Sequence, residues 1–418
     1  MIPLVSQLTL ILISIAVFMF MISLLVVMLL YARAKLTPQG EVTLNINGEE
    51  RLVSPGSSLL FTLSGNAIFL PSACGGGGTC GLCKCQVMEG GGAILPTETG
   101  FFTRKEQHHN WRLGCQVKVR NNMTIKVPEE IMGIKKWECE VISNRNVATF
   151  IKEFVVKLPA GEALNFKSGG YIQIDVPKVE VVFSKDIEVE EQFRDEWDKY
   201  KIWDLKLKNN EETFRAYSMA NHPAEGNIII LNIRIATPPW DKARGAFMKV
   251  PPGICSSYLF SRKPGDKVMI SGPYGEFFIK ETDREMIYVG GGAGMAPLRS
   301  HIFHLFHTLG TGRKVSYWYG ARSKREIFYE QEFRDIEKKF PNFSFHIALS
   351  EPLEEDKWTG LTGFIHQVLY DEYLGKIDEP EELEFYMCGP PMMNEAVQKM
   401  LYDLGVPEEM IDFDDFGG

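Results

Sequence analysis

From Leu8 to Leu30 the chain is almost wholly Leu, Ile, Val, Met and Phe, and no charged side chain precedes Arg33. About 20 such residues in a helix cross the ~30 Å hydrocarbon core of a bilayer. A cleavable signal would open on basic residues, carry a shorter apolar stretch and end on small residues. Here the start is uncharged, the stretch is longer, and the positive residues Arg33 and Lys35 follow it. Ala32-Arg33-Ala34 mimics a cleavage triplet, but with a charge at its centre. The pattern predicts a retained single-pass transmembrane helix over residues 1–34. Everything beyond it is expected in the cytoplasm, because positive flanks stay inside. The span holds no carboxylate or imidazole, so this helix alone offers no path for a cation.

Past a short linker with Pro38 and Gly40, apolar and polar positions alternate over Glu41–Glu49, and Asn47-Gly48 signals a hairpin turn into Arg51–Val53. Gly and Cys dominate residues 74–92, and alternation returns over Val117–Val127. This predicts a small β-rich module, residues 35–130. Over 131–280, short strands recur with Gly and Pro between them, among them Glu138–Ser143, Tyr171–Val176, Ile228–Ile235 and Lys267–Ile270. That pattern suits an antiparallel barrel. Residues 179–212 interrupt it with dense, mainly acidic charge and read as an insertion, a solvated flap with a docking surface as the alternative.

Over 281–418 the period changes. Apolar strands are expected at Met286–Val289, Val315–Tyr319, Phe343–Leu349 and Glu384–Cys388. Helical runs at Pro297–Leu309, Lys324–Lys339 and Thr362–Tyr373 alternate with them, which means a parallel sheet covered on both faces.

At 418 residues the chain has room for about three domains, and 45% hydrophobic with 24% charged residues excludes wholesale disorder. A net charge of −9 leaves no basic field for a phosphate backbone, so no nucleic-acid partner is expected. Cysteine use is uneven. Four of the eight lie between Cys74 and Cys85, Cys115 follows, and Cys139, Cys255 and Cys388 are scattered. A secreted disulfide scaffold is shorter and denser in Cys, so the cluster reads as metal-binding in a reducing compartment.

Residues 70–85 read LPSACGGGGTCGLCKC, with spacing Cys74-x5-Cys80-x2-Cys83, and 31 residues separate Cys83 from Cys115. A binuclear iron–sulfur cluster needs four thiolates, two on each iron. Consecutive glycines let the backbone wrap close to inorganic sulfur and aim N–H groups at it. Zinc with Cys85 in place of Cys115 is the competing set. Structural zinc favours C-x2-4-C knuckles; Cys83-x-Cys85 is too tight and Cys74-x5-Cys80 too loose. The metal ligands are therefore expected to be Cys74, Cys80, Cys83 and Cys115. The loop resembles those of plant-type and vertebrate-type ferredoxins, with the longer first gap of the latter, which implies a β-grasp ferredoxin domain with a 2Fe-2S cluster.

Residues 214–219 read FRAYSM, and Arg215-Ala216-Tyr217-Ser218 resembles the flavin motif of the ferredoxin–NADP reductase superfamily. The resemblance implies FAD, with the arginine on the pyrophosphate, the tyrosine on the isoalloxazine and the serine at its reactive edge. A bidentate guanidinium matches phosphate oxygens, and a planar ring covers a planar ring. Pro252-Gly253-Ile254-Cys255-Ser256-Ser257 matches the superfamily's Gly-x-x-Ser, where Gly253, Cys255 and Ser256 would receive the other phosphate; Asn232 and Arg234 on the strand between would hold the dinucleotide tail.

VGGGAGMAPLR at 289–299 joins an apolar strand to a helix. Gly291, Gly292, Ala293, Gly294 and Met295 form a turn that a pyrophosphate can approach at a helix N-terminus. The usual dinucleotide fingerprint is not met. Its third Gly is missing, and no acidic residue closes the second strand. The pattern resembles the nicotinamide lobe of the same superfamily, as does Cys388-Gly389-Pro390-Pro391 at a strand end. There Cys388 would orient hydride transfer, with Gly389 and Pro390 against the nucleotide. In the tail DDFGG, Phe416 would shield the flavin until nicotinamide displaces it, with Asp414 as the nearest acid. Ser218, Cys388 and Phe416 are thus the expected catalytic residues. Arg322, Lys324 and Arg325 follow the second strand, where a 2′-phosphate would sit, so the residues leave NADH and NADPH open. His301, His304 and His307 share a helix at i, i+3, i+6 without a carboxylate partner and are not read as a metal site.

The expected fold is thus a transmembrane helix, a β-grasp ferredoxin domain, an antiparallel β-barrel FAD domain and an α/β parallel-sheet NADH domain. The whole chain, 1–418, resembles the NADH-oxidising subunits of bacterial Na+-translocating NADH:quinone oxidoreductases. That implies NADH over NADPH, a place in the bacterial inner membrane, and electron transfer through FAD and the cluster to the complex's other membrane subunits, ending at ubiquinone or menaquinone. Sodium pumping would belong to the assembled complex. Reductases of multicomponent oxygenases share the module order, but they are typically soluble. A membrane-tethered metal-binding scaffold without turnover is the other rival.

Overall fold

The computed structural model describes residues 4–36 and 40–414. Its first element is the helix Leu4–Leu36, within which Thr9–Ala32 has a mean hydropathy of 3.1 and no burial inside the protein. The helix is long and apolar enough to cross a membrane.

Two compact units follow from the contacts: residues 1–70 with 81–133, and residues 71–80 with 134–418. The first contains a five-stranded sheet in the order Glu49–Val53, Val42–Ile46, Met123–Lys126, Lys84–Glu89, Trp111–Leu113. The hairpin turn forms as its residues demand: Asn47 and Gly48 both take positive φ, 52° and 98°. Val42–Ile46 runs parallel to Met123–Lys126, and a short helix, Leu59–Gly65, is capped by Ser58. Alternation over Val117–Val127 predicted a longer strand than the one that forms.

In the second unit six antiparallel strands follow the order Thr213–Ser218, Tyr171–Val176, Lys267–Tyr274, Lys135–Ala148, Ile151–Lys157, Ile228–Arg234. A bridge between Met219 and Leu231 joins the first strand's end to the last and closes the barrel. Ile172, Ile174 and Val176 fill it from every second position.

The insertion is not a solvated flap. Its charges alternate with Val181, Phe183, Ile187, Val189, Phe193, Trp197, Ile202 and Leu207, all buried in the barrel's own core. Strands Val179–Val182 and Lys206–Asn209 pair at its base, and the wholly buried Trp197 donates its indole N–H to the Thr149 carbonyl at 2.8 Å. Burying that ring alone is worth about 2–3 kcal/mol.

The last sheet is six-stranded and parallel throughout: Leu361–Thr362, Phe343–Leu349, Val315–Ala321, Met286–Gly291, Glu384–Cys388, Ile411–Asp414. Met286 and Tyr288 face a core that includes Leu298, Ile302, Phe333 and Ile336, whereas Ile287 and Val289 face one with Ile365, Leu369, Val397 and Leu401. Both faces are therefore helix-covered. The helix expected from Lys324 is split: Lys324–Glu326 forms a 3-10 turn, Ile327 is extended, and the helix starts at Glu330 after Tyr329 at φ 60°.

Candidate functional site

The glycines of the cysteine loop bend it through conformations an L side chain rarely takes. Gly75 has φ 63°, and a Cβ there would strike the Arg215 guanidinium and the Phe214 carbonyl. Gly81, at φ 71°, leaves no room for a Cβ beside Phe101. Within residues 71–80, Cys74 Sγ and Cys80 Sγ lie 3.3 Å apart, and the Gly76 N–H donates to the Ser72 hydroxyl at 3.1 Å. Hydrogen bonding from the Cys80 side chain, opposed by burial and helped by the Thr79 and Cys80 backbone, holds the Cys74 thiol down at about 3. The thiolate is the metal-binding form. In the other unit the Cys115 N–H donates to Cys83 Sγ at 3.5 Å, and both residues are buried. Cys74 and Cys80 thus lie close within one unit, and Cys83 and Cys115 within the other. Among the described residues no group of three or more His, Cys, Asp or Glu side chains is placed to hold a single metal ion. Cys85 is wholly buried, and burial pushes its thiol up to about 12.

Beside Cys85 lies a buried ion pair. Glu98 is fully buried and accepts Arg112 Nη2 at 2.7 Å, Arg112 Nε at 3.0 Å and the Leu113 N–H at 2.9 Å. Sequence reading passed over this pair, because nothing local links residue 98 to residue 112.

Arg215, Ala216, Tyr217 and Ser218 lie on the barrel strand that pairs with Tyr171–Val176. Arg215 Nη1 donates to the Phe214 carbonyl at 2.8 Å and to Thr213 Oγ1 at 3.2 Å. Tyr217 is held well above the usual tyrosine range by burial, then by its contact with the Cys255 side chain. Burial likewise pushes the Cys255 thiol up to about 12. Gly253 has no room for a Cβ beside Ala236 and Ser256; the Ser256 hydroxyl accepts the Ala236 N–H at 3.1 Å. Asn232 donates to Tyr329 Oη at 2.9 Å and keeps a buried amide oxygen without a partner, while Arg234 is exposed.

In the parallel sheet, Gly294 sits against the Cys388 carbonyl so closely that no Cβ fits, and a Cβ on Gly290 would lie 2.7 Å from Tyr317 Oη. Gly291 and Gly292 lead into Met295, which opens the helix Met295–Phe303 and accepts Tyr317 Oη at its sulfur; Ala293 lies between them, half-buried. A Cβ on Gly389 would meet Met393 Cε and lie 3.2 Å from the Gly291 nitrogen, and Pro390 caps the helix Pro391–Asp403. Register aligns Gly290 with Cys388 and Cys388 with Asp414. Asp414 Oδ2 in turn accepts the Ser218 hydroxyl at 2.6 Å. One row therefore runs from the glycine turn through the fully buried Cys388 to the barrel serine. Phe416 lies outside the described residues.

Sequence reading missed Tyr171. Its ring stacks on Tyr274 at 5.3 Å, and its hydroxyl is raised by burial first and then by negative charge on Tyr274, Glu276, Cys80 and Asp414. Its strand alternation gave no sign of that neighbourhood.

Three family models match: a 2Fe-2S iron–sulfur cluster binding domain over 42–120, an oxidoreductase FAD-binding domain over 199–279 and an oxidoreductase NAD-binding domain over 288–399. The chain therefore carries sites for a 2Fe-2S cluster, FAD and NADH. Its fold is similar to that of the Amycolatopsis cytochrome P450 reductase GcoB, with TM-score 0.62, 22% identity and coverage of 90% of this chain and 98% of that one. It is 53% identical over 409 residues to the F subunit of the Na+-translocating NADH-quinone reductase of Neisseria meningitidis serogroup C, covering 98% of this chain and 100% of the relative. The protein of the same name in Pseudomonas aeruginosa is 54% identical over 406 residues, covering 97% and 98%. The chain belongs to the family of F subunits of the Na+-translocating NADH-quinone reductases.

Proposed function

We propose that this chain takes in the electrons of its complex: it oxidises NADH beside the row Gly290–Cys388–Asp414, holds FAD with Arg215, Tyr217, Ser218, Gly253 and Ser256, and holds its cluster with Cys74, Cys80, Cys83 and Cys115. The single observation that carries this reading is the Ser218–Asp414 hydrogen bond, which ties the barrel's flavin motif to the sheet that carries the nicotinamide motif. When bound, nicotinamide supplies two electrons as hydride, flavin takes the pair and releases it singly, and the binuclear cluster accepts one at a time.

The protein's own part is binding and orientation. Arg215 offers a fork of donors to the pyrophosphate. Tyr217 presents a ring that burial keeps protonated. Asp414 fixes the Ser218 hydroxyl by accepting its hydrogen bond, so Ser218 Oγ keeps its lone pairs for the flavin edge. Cys388, wholly buried, excludes water where the nicotinamide would lie. Gly291, Gly292, Ala293, Gly294, Met295, Gly389 and Pro390 line the nucleotide's path, and Asn232 and Arg234 take the dinucleotide tail.

The helix Leu4–Leu36 anchors the chain in the bacterial inner membrane as a single pass, and Arg33 and Lys35 keep the remainder on the cytoplasmic side. Electrons leave to the other membrane subunits and end on a quinone, with Na+ export a property of the whole complex.

The test is anaerobic addition of NADH to the purified, cofactor-loaded chain. Flavin absorbance should bleach first and an electron paramagnetic resonance signal from the cluster should follow. Bleaching beside a silent, intact cluster would break the proposed order.

A further inference from the structure

In sheets of this kind the adenosine ribose lies beyond the end of the second strand. A carboxylate there favours the free 2′-hydroxyl of NADH, and an arginine favours the 2′-phosphate of NADPH. This chain's second strand, Val315–Ala321, ends without an acid and runs into Arg322, Lys324 and Arg325. On its own charge the loop would select the phosphate.

The missing acids arrive from the insertion. Glu196 Oε1 accepts both Arg322 Nη2 and Arg325 Nη2, the latter at 2.6 Å. Asp195 takes Arg325 Nη1 with both oxygens, at 2.9 and 2.8 Å. Glu326 adds a third carboxylate, 3.5 Å from Arg322 and 3.6 Å from Arg325, while also binding the Thr149 N–H at 3.1 Å. Two guanidinium groups thus face three carboxylates, and Lys324 is left exposed.

The backbone beneath the acids is fixed. They sit on the helix Arg194–Lys199, nailed down by the wholly buried Trp197, whose ring lies 6.1 Å from Phe260. The side chain of Glu196 is only 11% exposed against 62% for Asp195, so solvent screens Glu196 far less. Glu196 Oε2 is moreover buried without a hydrogen-bond partner, as is Arg325 Nε. A 2′-phosphate, with a charge of about −1.5 to −2, would have to displace these carboxylates and then lie beside an uncompensated one. A neutral 2′-hydroxyl meets neither cost.

We infer that Glu196, with Asp195 in support, sets the preference for NADH over NADPH by occupying Arg322 and Arg325. This rests on the nicotinamide-nucleotide site proposed above. Both acids are positioning residues: they act through the arginines and touch no reacting atom.

The test uses the full-length, FAD-loaded protein with ferricyanide as acceptor, measuring kcat/KM for NADPH and NADH, and competition against NADH by 2′,5′-ADP and by 5′-AMP. Glu196→Gln should raise the NADPH-to-NADH ratio by about tenfold or more and tighten 2′,5′-ADP relative to 5′-AMP. Asp195→Asn should do the same to a smaller degree. Adding Arg325→Ala to Glu196→Gln should erase the gain. An unchanged ratio in a flavin-replete Glu196→Gln protein, or a gain that survives loss of Arg325, overturns the inference. Should Glu196→Gln fail to retain FAD, Asp195→Asn decides, and no gain for 2′,5′-ADP there overturns it equally. A parent protein that fails to oxidise NADH would instead overturn the underlying reading.

Discussion

Ser218 gives its hydroxyl hydrogen to Asp414 Oδ2 at 2.6 Å, across 196 positions of sequence. A hydrogen bond to an ionised carboxylate contributes about 1.5–3 kcal/mol, or roughly 10- to 100-fold if it is needed in the transition state. Asp414→Asn should therefore slow flavin reduction by NADH by about that factor while FAD stays bound. Stopped-flow bleaching at saturating NADH measures it, and an unaltered rate would remove Asp414 from the flavin edge.

Loss of a cluster thiolate should act downstream of the flavin. In Cys80→Ser, NADH should still bleach the flavin, and electron delivery to quinone in the reassembled complex should stop. Cys85→Ala is the contrasting variant: it should keep the iron–sulfur absorption that Cys115→Ala loses. Loss of the iron–sulfur absorption in Cys85→Ala, with the flavin spectrum intact, would reassign the fourth ligand.

Glu98 and Arg112 are among the most deeply buried charges in the chain, at 0% and 5% exposure. Removing one partner of such a pair typically costs about 3–5 kcal/mol, since the other charge stays behind in a poor solvent. In Glu98→Gln, guanidinium should therefore abolish iron–sulfur absorbance at a markedly lower concentration, with flavin release unmoved. Coincident, unshifted loss of both signals would contradict this.

His301 is wholly buried, and burial holds its imidazole down at about 4, against an ordinary 6.5. Nε2 faces the Phe277 carbonyl at 3.1 Å, so the neutral ring carries its hydrogen there. The unfolded chain takes up the proton first. Stability contributed by the neutral ring is thus complete above pH 6.5 and is lost as pH falls from 6.5 towards 4. Thermal unfolding of the wild-type protein should drop more steeply over that window than that of His301→Asn.

What the sequence disclosed followed the range of the forces involved. The Asn47-Gly48 turn and the apolar strand expected at Met286–Val289 are local patterns: the turn forms with positive φ at both residues, and the strand forms as Met286–Gly291. The strand Ile411–Asp414 was not foreseen, because IDFD is short and half polar and exists only by pairing with Glu384–Cys388. Charge density concealed the insertion's nature: Asp195 and Glu196 looked solvent-facing, whereas their partners lie some 126 to 130 positions away. The late start of the helix at Glu330 follows from the extended Ile327 and the left-handed Tyr329 ahead of it.

Chains assembled from separable modules invite recombination, and the helix Arg194–Lys199 bears on how far that can go. It is rooted in the barrel by Trp197 yet neutralises arginines belonging to the neighbouring sheet. A nucleotide lobe exchanged alone between relatives would leave its counter-charges behind, so a chimera that keeps the native coenzyme has to carry residues 179–212 along with the lobe.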